Sequence, residues 1–174
     1  MATIGIPLDG GNAFEFVGKL DQRGTNFTIS GYVTHIAGLD PAEMFSNPDP
    51  AAWSEATARF TLSGSATLTT RSIVDNRLFV ITAEATVQFS VNPAAGASFD
   101  APESFVSGTP VSEAHISIRN VLGTVAPDIG VTNGGGGLTL TTVTPFDLTG
   151  RSYQIGTPGS AYRVSFRGVG VLLE

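Results

Sequence analysis

The chain has 174 residues, of which 41% are apolar, so it can bury the core of one domain spanning residues 1–174. Its net charge of −6 combines 15 acidic residues with nine basic ones, which argues against nucleic acid or an anionic membrane as partner. It contains no cysteine and two histidines, which excludes disulfides and thiolate chemistry. We therefore predict neither a metal site nor a cofactor.

The first residues, MATIGIPLDGG, lack the basic and apolar regions of a signal peptide. No apolar run reaches the length of about 18 residues that a transmembrane helix needs. These features predict a cytoplasmic protein, with a signal peptide cleaved beforehand as the alternative.

Two segments near the start alternate apolar and polar residues, as half-buried strands do. They are Phe14 to Leu20 and Thr25 to Leu39, and Asp21–Gly24 between them has turn composition. In the second segment, His35 falls on the same face as Phe27 and the apolar residues that follow it. The two-residue period therefore predicts an imidazole at the end of an inward face.

The next segments predict one helix followed by a hairpin. The stretch Asp49 to Ala58 begins with an N-cap Asp and a Pro, as helices often do. Ala58 to Thr70 and Phe79 to Val91 then alternate without interruption, and Val74–Arg77 supplies a tight turn between them. Both segments have one apolar and one polar face, which is typical of an antiparallel sheet.

The last third of the sequence predicts further strands around a glycine-rich loop. We expect Gly123 to Gly136, with TNGGGG at Thr132–Gly137, to be flexible. The expected strands are Ala114–Leu122, Leu138–Thr144 and Tyr162–Leu172, with short additional strands at Thr3–Leu8 and Arg151–Ile155.

Together these segments predict an all-β domain. The favoured architecture is a single antiparallel β-barrel of about eight strands, because consecutive strands usually pair and closure removes exposed edges. A two-sheet β-sandwich is the alternative. The pattern resembles in architecture the ligand-holding barrels of the calycin and allene-oxide-cyclase kinds. No motif of those families matches residue by residue, so no site residue is carried over from them.

Strand direction predicts a ligand entrance at one end of the barrel. If strands alternate in direction, the long segments 38–57 and 93–110 lie at the same end as His35. Both segments are acidic, which disfavours anionic ligands, although acids also keep proteins soluble. The residues expected to line the ligand site are Phe14, Phe16, Phe27, Ile29, Val33, Phe60, Phe89 and Trp53. Trp53, Met44 and Phe45 are expected to plug this end of the barrel as core residues or, alternatively, to form a lid over a bound apolar molecule.

Two polar residues on inward faces are candidates for catalysis, His35 and Asn120. Imidazole titrates near neutral pH and can polarise a bound carbonyl, and a buried amide can orient a ligand. The alternative for both residues is a structural hydrogen bond to a loop. Glu84 and His115 fall on outer faces and are expected to be solvated.

Three functions are compatible with this pattern. The first is a small-molecule-binding barrel that holds an apolar, neutral ligand in its interior. The second is a cofactor-free cyclase or isomerase that acts on an apolar substrate in the same cavity. The third is a structural or assembly subunit, which forms a homo-oligomer through apolar residues on otherwise polar faces. Those residues are Val17, Val169, Val171 and Leu173.

Overall fold

The computed structural model describes residues 1–173, with 63% of the chain in strands and 7% in helices, so the protein is all-β. The helical segments are α1 (Pro41–Met44) and two 3-10 turns, Pro50–Ala52 and Pro102–Val106. No helix within residues 1–173 has the length and apolar character needed to cross a bilayer. The strands are β1 (Ala2–Ile4), β2 (Phe14–Arg23), β3 (Asn26–Ile36), β4 (Phe60–Ile73), β5 (Leu78–Val91), β6 (Thr109–Ala126), β7 (Ile129–Val143), β8 (Phe146–Leu148), β9 (Arg151–Ile155) and β10 (Ala161–Leu172).

Seven strands form one sheet that closes in a ring, in the order β10-β2-β3-β4-β5-β6-β7. Six neighbouring pairs are antiparallel, and the closing pair β10–β2 is parallel. The parallel pair is a consequence of the odd strand number, because strict alternation of direction around a ring needs an even number. The sequence predicted about eight strands, and the ring has seven.

The connections of the ring are strongly asymmetric. We call the end where β2 begins the upper end. Three long connections lie there, residues 37–59, 92–108 and 144–160, whereas the lower end has the short turns 24–25, 74–77 and 127–128. The predicted gathering of long segments at one end is confirmed. The third long connection contains β8 and β9, which form a second sheet with β1.

Two sequence predictions are wrong in the fold. Asp49 caps a single 3-10 turn by accepting a hydrogen bond from the Ala51 amide (3.0 Å), and the helix does not continue to Ala58. The predicted loop Gly123–Gly136 is instead the paired part of β6 and β7, with a turn at residues 127–128. Glycine is rare in strands, so its abundance suggested a loop. Here the glycines allow neighbouring strands to approach closely.

The upper half of the ring is filled with aromatic side chains. The ring of Phe14 lies 6.3 Å from that of Phe16 and 5.6 Å from that of Phe89, and all three are at most 2% exposed. Above them, the long connections and the small sheet cover the upper end with buried apolar residues that belong to the same core. These include Ile4, Met44, Phe45, Phe146 and Ile155. The entrance expected at the upper end is therefore closed by side chains.

Candidate functional site

Seven of the eight residues predicted to line a ligand site lie together inside the ring. Trp53 instead belongs to the cover, where its ring stacks on Phe45 at 4.6 Å and its indole N–H donates to the Asn47 carbonyl (2.9 Å). The seven interior residues are all at most 7% exposed: Phe14, Phe16, Phe27, Ile29, Val33, Phe60 and Phe89. The alternation of the sequence therefore predicted the inward faces correctly.

The interior that these residues share is almost filled. Phe16 and Ile29 line a void of about 20 Å³, and Phe27 lines a neighbouring void of about 10 Å³. One water needs at least about 10 to 15 Å³, and a drug-sized ligand needs several hundred. Neither void holds an apolar ligand of ordinary size without movement of the surrounding side chains.

His35 faces outward, against the prediction from its position in the strand. Phe14 pairs with Ile36 and Phe16 pairs with Val33, so both Thr34 and His35 lie opposite the single residue Glu15. This β-bulge shifts the alternation by one residue. Ile36 then takes the inward position that the two-residue period assigned to His35.

The outward face of His35 borders an open pocket of about 640 Å³. Its outer wall is formed by residues 5–13, a loop that we call the N-terminal loop and that is hydrogen-bonded to the rest of the protein at both ends. Gly5 donates its amide hydrogen to the Ala37 carbonyl (2.7 Å), and Ala13 donates to the Arg163 carbonyl (2.8 Å). In the middle of the N-terminal loop, Leu8 is fully exposed. The pocket therefore lies between the N-terminal loop and the upper ends of β2 and β3.

The lining of this pocket combines one imidazole with two carboxylates. Glu15 accepts a hydrogen bond from the Asn12 amide (3.3 Å), and Asp9 accepts one from the Gly11 backbone amide (3.0 Å). His35 is half-buried, and no hydrogen bond or ion pair joins its side chain to another residue within 1–173. Its two ring nitrogens are therefore available to a bound molecule, one as a donor and one as an acceptor when the ring is neutral. No Lys or Arg of the described chain lines the pocket.

Asn120 faces inward, as predicted, and is 1% exposed. It lies in the lower half of the ring, far along β6 from the upper end. His35 and Asn120 therefore do not form one site.

An exposed polar cluster lies on the outer face of β5 and β6. Glu84 accepts hydrogen bonds from the Ser117 hydroxyl (2.5 Å) and shares a 2.6 Å hydrogen bond with His115 Nε2. The Ser117 hydrogen bond is the main cause of a lowered pKa of Glu84. Because Ser117 bonds to the carboxylate and not to the imidazole, this cluster lacks the order of a serine-hydrolase triad. The prediction that Glu84 and His115 lie on solvated faces is confirmed.

Several acidic residues of the upper connections have structural partners. Asp40 accepts a hydrogen bond from the Ala42 amide at the start of α1 (2.9 Å). Glu43 accepts hydrogen bonds from the Tyr153 hydroxyl (2.7 Å) and the Thr149 hydroxyl (2.9 Å). These contacts join the cover to the small sheet, so the acidic residues there also stabilise the fold.

Sequence reasoning missed the pocket because its outer wall is the irregular segment 5–13, which was expected to be partly a strand. The bulge that turns His35 outward leaves no trace in the hydrophobic pattern. The sequence nevertheless contains one signal of an irregular segment. The consecutive glycines at positions 10 and 11 are not explained by the predicted strand Thr3–Leu8. Comparisons of this chain with protein-family models, with curated proteins and with solved structures found no match.

Proposed function

We propose that this protein binds a small molecule and that the binding site is the pocket beside His35. The observation that carries the proposal is a half-buried imidazole without a partner among residues 1–173, facing a pocket of about 640 Å³. The apolar, neutral ligand expected from the sequence was assigned to the interior, where the voids are too small. Moving the site to the pocket keeps the class of function and changes its place.

The lining favours a neutral or cationic organic molecule. Two carboxylates near the imidazole disfavour an anionic ligand, because like charges repel. In the N-terminal loop, Ile6, Pro7 and Leu8 offer apolar contacts to the hydrocarbon part of such a ligand. A bound hydroxyl or amine would hydrogen-bond to His35 or Glu15.

The two histidines provide a built-in test of this proposal by NMR. We would screen a set of small neutral and amine-bearing compounds while observing the ring C–H resonances of His35 on β3 and of His115, which is exposed on the outer face of β6. We expect a binding compound to shift the resonances of His35 and to leave those of His115 unchanged. Glu15→Gln should weaken that compound about tenfold, since hydrogen bonds to charged groups contribute about 1.5 kcal/mol or more.

Glu113→Gln, an exposed position on β6, is the matched control and should leave the affinity unchanged. Binding that shifts neither histidine, or both equally, would contradict a site in this pocket. The cyclase or isomerase alternative uses the same imidazole for proton transfer. It is favoured by the pairing of His35 with Glu15 across β2 and β3.

An assembly subunit is a further candidate, favoured by an exposed apolar surface at the lower end. Val131 and Val169 are directly paired on β7 and β10 and are 52% and 41% exposed. With Val121, Val125 and Ile129, which are also exposed, they form what we call the valine face. Because these five side chains are apolar and exposed, the valine face is compatible with the same surface of a second copy. Of the residues predicted for such a contact, Val169 belongs to it, whereas Val17, Val171 and Leu173 are half-buried.

Sedimentation velocity tests the valine face. We expect the wild-type protein to be a dimer at micromolar concentration and the double variant Val131→Asp, Val169→Asp to be a monomer. Val106→Asp, at a position 49% exposed in the upper connections, is the control and should remain a dimer. A wild-type protein that is monomeric across the concentration range would exclude this role.

The architectural part of the sequence prediction also remains a proposal. We propose that the closed ring is a small, filled antiparallel barrel, similar in architecture to the calycin and allene-oxide-cyclase kinds. The closed hydrogen-bonding order around all seven strands supports this description over a two-sheet sandwich.

A further inference from the structure

The interior contains one side-chain amide without a partner. Asn120 is 1% exposed, and its Oδ1 atom has no hydrogen-bond partner within residues 1–173. It shares the inward face of β6 with Ile116, Ile118 and Leu122, so its neighbours on this strand are apolar. Buried polar groups are almost always hydrogen-bonded, which makes this carbonyl oxygen an exception that needs an explanation.

The neighbouring strand makes room for this amide. Gly134 on β7 is the register partner of Asn120, and a Cβ atom at Gly134 would overlap Asn120 Oδ1. The same Cβ atom would also overlap the backbone carbonyl oxygen of Arg119, so any other residue at position 134 would both displace the amide and force the two strands apart. The chain thus combines a buried amide, which is costly, with a glycine that accommodates it.

Three voids follow one another along the interior of the ring, the first above Asn120, the second beside it and the third towards the lower end. The void of about 20 Å³ and the void of about 10 Å³ are both lined by Asn120, Leu20 and Ile118. The second of these voids shares Phe27 and Ile81 with a third void of about 80 Å³, which is also lined by Arg71 and Gln22. Only side chains separate these voids, so rotation of Leu20, Phe27 and Ile81 would join them.

Above Asn120 the void of about 20 Å³ extends to Phe16, and the rings of Phe14, Phe16 and Phe89 there are in mutual contact. Within residues 1–173, the lower end has short turns and no covering sheet. At this end the Arg71 guanidinium lies over the ring of Phe79, 4.4 Å from its centre, and Arg71 borders the lowest void. A molecule that reaches Asn120 would therefore enter from below, past Arg71.

We propose that Asn120 anchors a short-chain aliphatic alcohol in the lower half of the ring, at a site separate from the pocket beside His35. The hydroxyl group donates a hydrogen bond to Asn120 Oδ1, and the alkyl chain lies along Leu20, Phe27 and Ile81. Charged ligands are excluded by the cost of burying an unpaired charge in apolar surroundings. An engineered cavity of about 150 Å³ holds benzene, so the voids here suit a smaller molecule of about three to five carbon atoms.

A second buried oxygen lies on the inward face of the neighbouring strand. Thr132 is the residue on β7 that pairs with Leu122, one inward position below the pair Asn120–Gly134. Its hydroxyl is buried and also lacks a partner within residues 1–173. The interior wall formed by β6 and β7 therefore carries two buried oxygens without partners within residues 1–173.

Two isomers of equal size test the proposal, 1-butanol and methyl propyl ether, which differ in the presence of a hydrogen-bond donor. The readout is the methyl resonances of Ile81, Ile118 and Leu20 in the full-length protein. We expect 1-butanol to shift these resonances in a saturable way and to bind at least about tenfold more tightly than the ether. The resonances of His35 should not change, which separates this site from the proposed function.

Asn120→Leu removes the acceptor and keeps a side chain of similar size. We expect this variant to bind both isomers equally, and to unfold at the same or a higher temperature, because it removes a buried polar group without a partner. Absence of any saturable shift with 1-butanol in the wild-type protein would overturn the proposal. It would mean that a single water molecule donates the hydrogen bond to Asn120 Oδ1. A preference for the alcohol that persists in Asn120→Leu would overturn it as well. The comparison of the two isomers in the wild-type protein decides the question even if the variant does not fold.

Discussion

Replacing Gly136 by alanine is expected to lower the free energy of unfolding by about 3 kcal/mol, the upper part of the usual range for overpacking. Gly136 faces inward on β7, and a Cβ atom there would overlap the carbonyl oxygen of Ser117 on β6. Backbone atoms in a paired strand cannot rotate away as a side chain can, so the two strands would have to separate. Urea denaturation of the variant and of the wild-type protein measures this loss.

The adjacent glycine provides a matched control. A Cβ atom at Gly137 would meet no atom within 4 Å, because this residue faces outward on the same strand. Gly137→Ala is therefore expected to raise stability by about 0.5 kcal/mol, since alanine loses less backbone entropy on folding. Equal effects of the two substitutions would mean that the run of glycines is a flexible loop and not a strand of the ring.

Truncation of Phe14 to alanine is expected to lower the free energy of unfolding by about 3 to 5 kcal/mol, as is usual for buried phenylalanines. Phe14 is 0% exposed, and its ring contacts those of Phe16, Phe89 and Tyr162 at centroid distances of 5.6 to 6.3 Å. The closed ring of strands around it resists collapse into the space left behind. Thermal or urea denaturation would measure the loss.

Leu8→Ala is the control for this second prediction, because Leu8 is fully exposed in the N-terminal loop. We expect its stability to stay within about 0.5 kcal/mol of the wild-type value. If Phe14→Ala were as mild as Leu8→Ala, the aromatic cluster would not be the packed centre of the upper half.

Strand faces were predictable from the sequence because a side chain in a strand changes face at every residue. This rule placed Phe27, Ile29 and Asn120 correctly inside the ring. It failed at His35, where a bulge inserts an extra residue opposite Glu15. A bulge arises from hydrogen bonding between two strands, and neither strand alone records it in its pattern of apolar residues.

The upper connections show a second limit of pattern reasoning. Their length and position were predictable from strand direction, and they were interpreted as the entrance to a cavity. Met44 and Phe45 turn inward and are at most 3% exposed, as expected if they plug the end of the barrel, so the connections cover the ring. An entrance and a cover have the same place in the sequence, and only the packing of these apolar residues distinguishes them.

The parallel pairing of β10 with β2 has a consequence for how the ring is completed. Val164 pairs with Phe14, so two segments distant in the sequence must meet before the sheet can close. Until β10 docks, both β2 and β7 present unpaired amide and carbonyl groups to the surroundings. Such long-range pairings form slowly compared with hairpins. During biosynthesis, the partly made sheet would therefore be most prone to aggregate just before residues 161–172 leave the ribosome, and closure would end that vulnerability in a single step.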